Sequence, residues 1–253
     1  MPRKLRIDLA GYHHVINRGV NHSKVFMEEE DYETFLKIVC KACRIHRVIL
    51  HDYCLMTNHF HLLVETQSEN LSNFMKHING NYAIYANKKQ KRLGHFWQGR
   101  YYSRYINSEE YYYTLIRYIE QNPIEAGLVE SIKDYPYTLG SVIANKLTPV
   151  SCTLHSKLLE ELDYENIQEI IGVKLLEEEL ENLEKIKNQK SIKKDNVTRL
   201  ANERTLEEHF FEYKTLKERN SKILTALDDG YSQISIANYL NVSRSLVSKI
   251  VRE

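Results

Sequence analysis

Along the chain, short apolar runs rich in β-formers trade places with longer stretches whose apolar residues recur every three or four positions. Residues 12–17 (YHHVIN) read as a strand, followed by an Arg18-Gly19 turn. Residues 31–44 carry Phe35, Leu36, Ile38, Val39 and Ala42 at helical spacing. Residues 48–53 and 59–65 read as two strands joined by the polar turn Met56-Thr57-Asn58. Residues 71–86 predict a second helix with Leu71, Phe74, Met75, Ile78, Tyr82 and Tyr85 on one side. Residues 94–106 are aromatic and β-rich, a strand pair or a strand with a loop. Residues 109–121 predict a third helix, stopped by Asn122-Pro123. The order β-α-β-β-α-β-α predicts an α+β domain, a ferredoxin-like or RRM-like mixed antiparallel sheet with packed helices. About 145 residues suffice for its own core.

The pattern changes after residues 147–153 (LTPVSCT), a plausible boundary. The division expected is a first domain over 1–145, a helical connector and linker over 146–205, and an all-α domain over 206–253. Residues 154–186 are rich in Leu, Ile and Glu and predict one or two amphipathic helices broken at Gly172. Residues 185–202 are polar and basic, a linker or a solvated helix. Near the end, residues 221–227 predict a helix closed by Asp228-Asp229-Gly230, and Ser232 caps 233–240. Asn241-Val242 makes a turn and Ser243 caps 244–252. Ile234, Ala237, Leu240, Val242, Leu246 and Ile250 supply the expected buried face. This is a helix-turn-helix pattern, with Ser243, Arg244, Ser245, Ser248 and Lys249 toward a major groove. A plain helical hairpin has the same pattern.

Composition sharpens this division. The 253 residues are 42% hydrophobic and 27% charged, which is globular and too apolar for a disordered chain. Net charge is +1, so it points to no partner. Residues 1–145 hold 9 of the 11 His and 14 of the 18 Tyr, with a charge of +3 against −2 for the remainder. These side chains bind metals, move protons and attack phosphorus, and they also fill half-buried sheets. No apolar run reaches the roughly 18 residues of a membrane span. The N-terminus has charge without a following apolar stretch, so no secretory signal is expected. Four Cys then fit a reducing cytoplasm, the expected location. Cys40 and Cys43, one turn apart on a predicted helix, are expected in the core rather than on a metal.

Two runs carry the candidate chemistry. In His59-Phe60-His61, alternation sends both imidazoles to one strand face, about 7 Å apart along the backbone. They can converge on a divalent ion, while Phe60, Leu62 and Val64 pack the other face. Two polar residues on a solvent-facing strand give the same pattern. On the third helix, Tyr118 and Asn122 are i and i+4 and share a face. A phenol oxygen can attack a phosphodiester if a cation or base offsets its ordinary pKa of about 10. An amide one turn away can offer an oxygen to that cation. A packed Tyr and an Asn turning the chain before Pro give the same spacing.

Taken together, these runs resemble a known family. The stretch from Tyr53 to Val64 (YCLMTNHFHLLV) is similar to one signature of the single-tyrosine HUH transposases, and that from Arg117 to Val129 (RYIEQNPIEAGLV) to another. Asn17-Arg18-Gly19 and Phe96-Trp97-Gln98-Gly99-Arg100-Tyr101 match weaker patterns. The resemblance spans roughly residues 8–140 and is nearest the REP-associated tyrosine transposases. It implies His59 and His61 as metal ligands, Asn122 as a third and Tyr118 as nucleophile. It further implies cleavage of single-stranded DNA beside hairpins through a 5′-phosphotyrosine, with Mg²⁺ or Mn²⁺. Glu125 stands where relatives commonly carry a basic residue, and Tyr135-Pro136-Tyr137-Thr138 where a Trp-Ser pair is usual.

Beyond the chemistry, Lys88, Lys89, Lys91 and Arg92 precede Phe96-Trp97 and Tyr101-Tyr102. Cations beside aromatic faces suit single-stranded DNA, with Trp97 for stacking and Arg18 and Arg100 as further contacts. Hairpin DNA, duplex DNA at the C-terminal module and no membrane are therefore the expected partners, for a monomer or a homodimer. The rival readings are a DNA-binding regulator that keeps the fold without cleavage, and a metal-dependent phosphodiesterase that uses water.

Overall fold

Eight residues, Gly11–Arg18, form β1, and Glu29–His46 form α1. Val48–Met56 (β2) and His59–Thr66 (β3) make a hairpin, Leu71–Lys89 is α2, Tyr102–Ile106 is β4 and Glu109–Glu125 is α3. The computed structural model describes residues 7–107, 109–161, 164–187, 191–194, 197–201 and 204–252. The charged start of the chain, residues 1–6, lies outside them. All ladders are antiparallel and the strand order is β2-β3-β1-β4. That is the ferredoxin-like arrangement expected from the element order.

The pleat sorts side chains onto two faces. Phe60, Leu62 and Val64 are fully buried beneath α1 and α2. Phe60 meets Phe35 of α1 at 4.8 Å, and Phe35 meets Tyr82 of α2 at 5.1 Å. Each such side chain contributes about 1.5–3 kcal/mol by leaving water. On the opposite face lies α3, which buries Tyr112, Leu115, Ile116 and Ile119. A bulge in β2 adjusts the register. Leu50 pairs with Val64 and Asp52 with Leu63, so one extra residue brings Asp52, Cys54 and Met56 to the α3 face.

Two local expectations give way to tertiary structure, and one open alternative is decided by it. The third helix runs through Pro123 to Glu125 instead of ending at 121. Proline lacks the N–H that would bond the Ile119 carbonyl. The Asn122 amide substitutes, donating to the carbonyls of Tyr118 at 2.5 Å and Ile119 at 3.4 Å. Second, only Tyr102–Ile106 of the aromatic stretch is strand. Residues 96–98 pair instead beside the end of β1, with Val20 N–H donating to Phe96 O and Gln98 N–H to Arg18 O. Third, Cys40 is not a core thiol, because it is disulfide-bonded to Cys152, 112 residues away. Cys43 and Cys54 are buried and free.

The chain divides into two compact units, residues 8–188 and residues 1–7 with 189–253. The first extends past residue 145. After Leu139–Ala144 (α4), capped by Thr138, come Lys157–Glu161 (α5), Tyr164–Gly172 (α6) and Glu177–Lys187 (α7). Leu158, Ile167, Ile171 and Leu183 join the same core as the sheet, and the expected break falls at Gly172. Arg117 of α3 pairs with Glu179 of α7.

In the second unit, Ser191–Lys194 (β5) and Val197–Leu200 (β6) form an antiparallel pair where a linker or solvated helix was expected. Val197 and Thr198, both β-branched, favour that outcome. Leu206–Phe210 (α8), Leu216–Asp228 (α9), Gln233–Tyr239 (α10) and Arg244–Arg252 (α11) follow. Thr205, Thr215 and Ser232 cap α8, α9 and α10 through their side-chain oxygens, each stabilising by about 1 kcal/mol. Phe210, Ile223, Ala226, Ile236, Ala237, Val247 and Ile250 form the core. Ile234, expected in the buried face, is 51% exposed, and Ile236 is buried beside Ala237 instead. Ser243 accepts from Leu246 N–H at the start of α11, as expected of a cap.

The disulfide makes a countable prediction. Alkylation of the denatured, unreduced protein, read by mass spectrometry, should label two thiols, Cys43 and Cys54. Labelling of all four would remove the Cys40–Cys152 bond.

Candidate active site

Four strands send their side chains to the α3 face in a defined row. From β4 comes Arg104, directly across from His14 of β1. From β3 come His61 and His59, across from Ile16 and Arg18 of β1. The His59 and His61 rings lie 5.0 Å apart, as strand alternation requires. His14 stacks on His61 at 5.1 Å, and His14 Nε2 is hydrogen-bonded to His61 Nδ1 at 2.9 Å. Above them, the Tyr118 ring of α3 stands 5.9 Å from both His14 and His61, edge-on to each. Tyr118 and the His59-Phe60-His61 strand thus meet in space, although about 60 residues separate them.

The imidazoles are neutral. His61 is 3% exposed, and burial, then His14 and His59, then Arg104 and Arg18, hold its pKa far below the usual value. His14 is fully buried and held down by the same burial and by Arg104. His59, half-buried, is lowered to about 4 by burial, Arg18 and His22. Neutral rings keep lone pairs for a cation. His59 Nδ1 donates to Asn58 Oδ1 at 2.6 Å, which leaves the lone pair on Nε2. His61 Nε2 is buried without a partner. These two nitrogens fit a divalent ion. No group of three or more His, Cys, Asp or Glu suited to a metal occurs among the described residues, so oxygen donors must complete the shell. Asn122 bonds through its amide nitrogen to its own helix, so its carbonyl end is the part left for such a role.

Two residues on from Tyr118, Glu120 fixes the roll of α3. Its carboxylate accepts from Gly140 N–H and meets Asp52 of β2, and both acids are fully buried. A Cβ at Gly140 would collide with that carboxylate. Asp52 Oδ2 and Glu120 Oε2 are buried without a hydrogen-bond partner, a need that a proton on one of the two acids would meet. Burial, then the neighbouring Glu120 charge, pushes Asp52 well up, and burial raises Glu120.

The expected DNA contacts are dispersed. Lys89 pairs with Glu28, Glu30 and Asp31 at 2.8–3.0 Å. Lys88, Lys91 and Arg100 are exposed, and Arg92 lies over the Phe96 ring and donates to His95 O. Trp97 leans inward on Phe60 and donates to Asn79 O. Arg18 stands beside His59. In the second unit Ser243, Arg244, Ser245 and Lys249 are exposed and Ser248 half-buried. His14 and Arg104 are the residues sequence reasoning misses. Arg104 is 6% exposed, with an unpartnered Nε and its guanidinium over Tyr102 at 5.6 Å. Their one sequence signal is placement in predicted strands. Their convergence depends on register.

Comparison with known proteins now places this geometry. The family model described as "Transposase IS200 like" matches residues 9–122, which include all of β1 to β4 and α3 through Asn122. Residues 9–122, a little under half of the chain, are thus similar to the IS200-like transposases. A REP-associated tyrosine transposase, solved bound to a REP hairpin, shares the fold at TM-score 0.50 and 18% identity, covering 59% of this chain and 89% of that one. A Deinococcus radiodurans R1 protein described as a transposase aligns at TM-score 0.34 and 19% identity over 48% of this chain and 97% of its own. The tRNA(His) guanylyltransferase of Saccharomyces cerevisiae aligns at 0.35 and 13% over 79% and 91%. No curated protein matches the chain. No helix among the described residues is long and apolar enough to cross a membrane.

The acid pair predicts a pH effect. With both folded pKa values raised, the folded state binds more protons than the unfolded one above the ordinary carboxylate range of about 4, so stability falls as pH rises. Asp52→Asn keeps a donor to Glu120 and removes one titration. Its melting temperature relative to the parent should climb as pH is raised from about 4 toward neutrality. Parallel melting curves across that range would exclude a shared proton.

Proposed function

We propose that the chain cleaves and rejoins single-stranded DNA at hairpin-bearing sites, with Tyr118 as nucleophile. The observation that carries this reading is the Tyr118 ring held 5.9 Å from His61, whose Nε2 is buried and unpartnered. The Tyr118 oxygen attacks the scissile phosphorus and the 3′ oxygen leaves. The products are a 5′-phosphotyrosine on the protein and a free 3′-hydroxyl. Attack by a 3′-hydroxyl reverses the step, so rejoining needs no external energy source. His59 and His61 would hold a divalent ion, Mg²⁺ or Mn²⁺, with the Asn122 carbonyl as a third donor. When bound, the ion supplies Lewis acidity at the phosphodiester. The buried Arg104 guanidinium adds positive charge at the site, which favours an anionic ligand. Hairpin recognition is supported by the fold shared with the REP-associated enzyme, and the exposed Lys88, Lys91 and Arg100, with the half-buried Arg18, suit a phosphate backbone.

The second unit, with α10 and α11 joined by a short turn, reads as a helix-turn-helix that binds duplex DNA. Ser243, Arg244, Ser245, Ser248 and Lys249 lie along the start and one side of α11.

Incubation with a nicked hairpin oligonucleotide and Mn²⁺ should yield a covalent protein–DNA adduct, and Tyr118→Phe should abolish it. Binding without adduct in several divalent ions would instead make the chain a regulator, and turnover that survives Tyr118→Phe would make it a water-using phosphodiesterase. For the second unit, Arg244→Ala should weaken duplex binding and reduce the salt slope of log K by about 1. An unchanged slope would remove Arg244 from the DNA contact.

A further inference from the structure

The two imidazoles of β3 differ in what holds them. His59 Nδ1 faces the Asn58 carbonyl oxygen, which can only accept, so the proton sits on Nδ1 and Nε2 is bare. His61 Nδ1 faces another imidazole nitrogen, His14 Nε2, at 2.9 Å, and either can donate. If His14 donates, the remaining proton of neutral His61 lies on Nε2, which points a hydrogen where an ion would bind. If His14 accepts, His61 keeps its proton on Nδ1 and presents a lone pair at Nε2. No other partner is available to choose between them, because His14 Nδ1 and His61 Nε2 are both buried and unbonded.

We propose that His14 is a positioning residue for the metal centre. Its Nε2 accepts from His61 Nδ1–H, which sets the tautomer and ring angle of His61 as Asn58 does for His59. This rests on the reading of His59 and His61 as ligands. It assigns a role to a β1 residue that touches neither the ion nor the phosphodiester. Ligating histidines commonly need such an outer partner, and its loss typically weakens metal binding about 10- to 100-fold. The stacking of His14 on His61 and its edge contact with Tyr118 tie the same ring to both halves of the site.

The test is Mn²⁺ binding by the full chain without DNA, with free Mn²⁺ measured by electron paramagnetic resonance. His14→Gln places an amide oxygen where Nε2 was and should bind within a few-fold of the parent. His14→Phe fills the space without an acceptor and should bind about 10- to 100-fold more weakly. Equal affinity for His14→Phe and the parent overturns the proposal. His61→Ala is the control. If it binds like the parent, the metal reading itself has failed, a different result from a silent His14. Should the Phe variant not fold, imidazole nitrogen spectra of the Mg²⁺-saturated parent decide. A proton on His61 Nδ1 supports the assignment, and a proton on His61 Nε2 overturns it.

Discussion

Two fully buried acids, Asp52 of the outer strand and Glu120 of α3, meet where the helix crosses the sheet, and the candidate site depends on that junction. A helix laid on a sheet by apolar contacts alone has freedom to roll and slide, because Leu115, Ile116 and Ile119 fit many neighbouring grooves. Two buried carboxyl groups do not. Separated, each would be an unsatisfied polar group in a dry interior, at about 1–3 kcal/mol apiece. The pair therefore fixes one register, and Tyr118 then falls over His14 and His61. Gly140 takes part by leaving room for the carboxylate and donating its N–H. The bulge in β2 takes part as well, since without the extra residue Asp52 would face α1 and α2.

The same junction shows what a sequence can and cannot convey. Strand alternation alone put His59 and His61 on one face and Phe60, Leu62 and Val64 on the other, and the i, i+4 rule placed Asn122 one turn from Tyr118. Both rules are local. The partner of His61 lies 47 residues earlier in the chain, and which of His13 and His14 faces it depends on the pairing of β1 with β3. Arg104 enters through a second ladder. Pro123 misled for a related reason. A proline ends a helix when its orphaned carbonyl has no other donor, and the side chain just before it provides one. Cys40 misled because its partner is distant. The composition, with most His and Tyr in the first 145 residues, flagged the segment but could not separate the few residues at the site from the many in the core, where Tyr53, Tyr82 and Tyr112 are fully buried.

Electrostatically the site inverts the usual protein surface. Arg18 and Arg104 flank three neutral imidazoles, so positive charge gathers without a carboxylate in the row. Burial pushes the pKa of both nearby acids, Asp52 and Glu120, upward, which disfavours their charged forms. With a net charge of only +1 for the whole chain, attraction for a polyanion is confined to short range, about the 8–10 Å of ionic screening at ordinary salt.

The Cys40–Cys152 bond has a topological consequence. It closes a ring that contains β2, β3, α2, β4, α3 and α4, and β1 lies outside it. Yet β1 is inserted between β3 and β4, hydrogen-bonded to both. Within the sheet, two strands of the covalent loop are thus joined through a strand that lies outside it. His14 and Arg18 belong to that outside strand, and His59, His61, Arg104 and Tyr118 to the loop. Force applied to the N-terminus would have to strip two ladders together, and the first group to leave the site would be a histidine that the loop itself cannot replace.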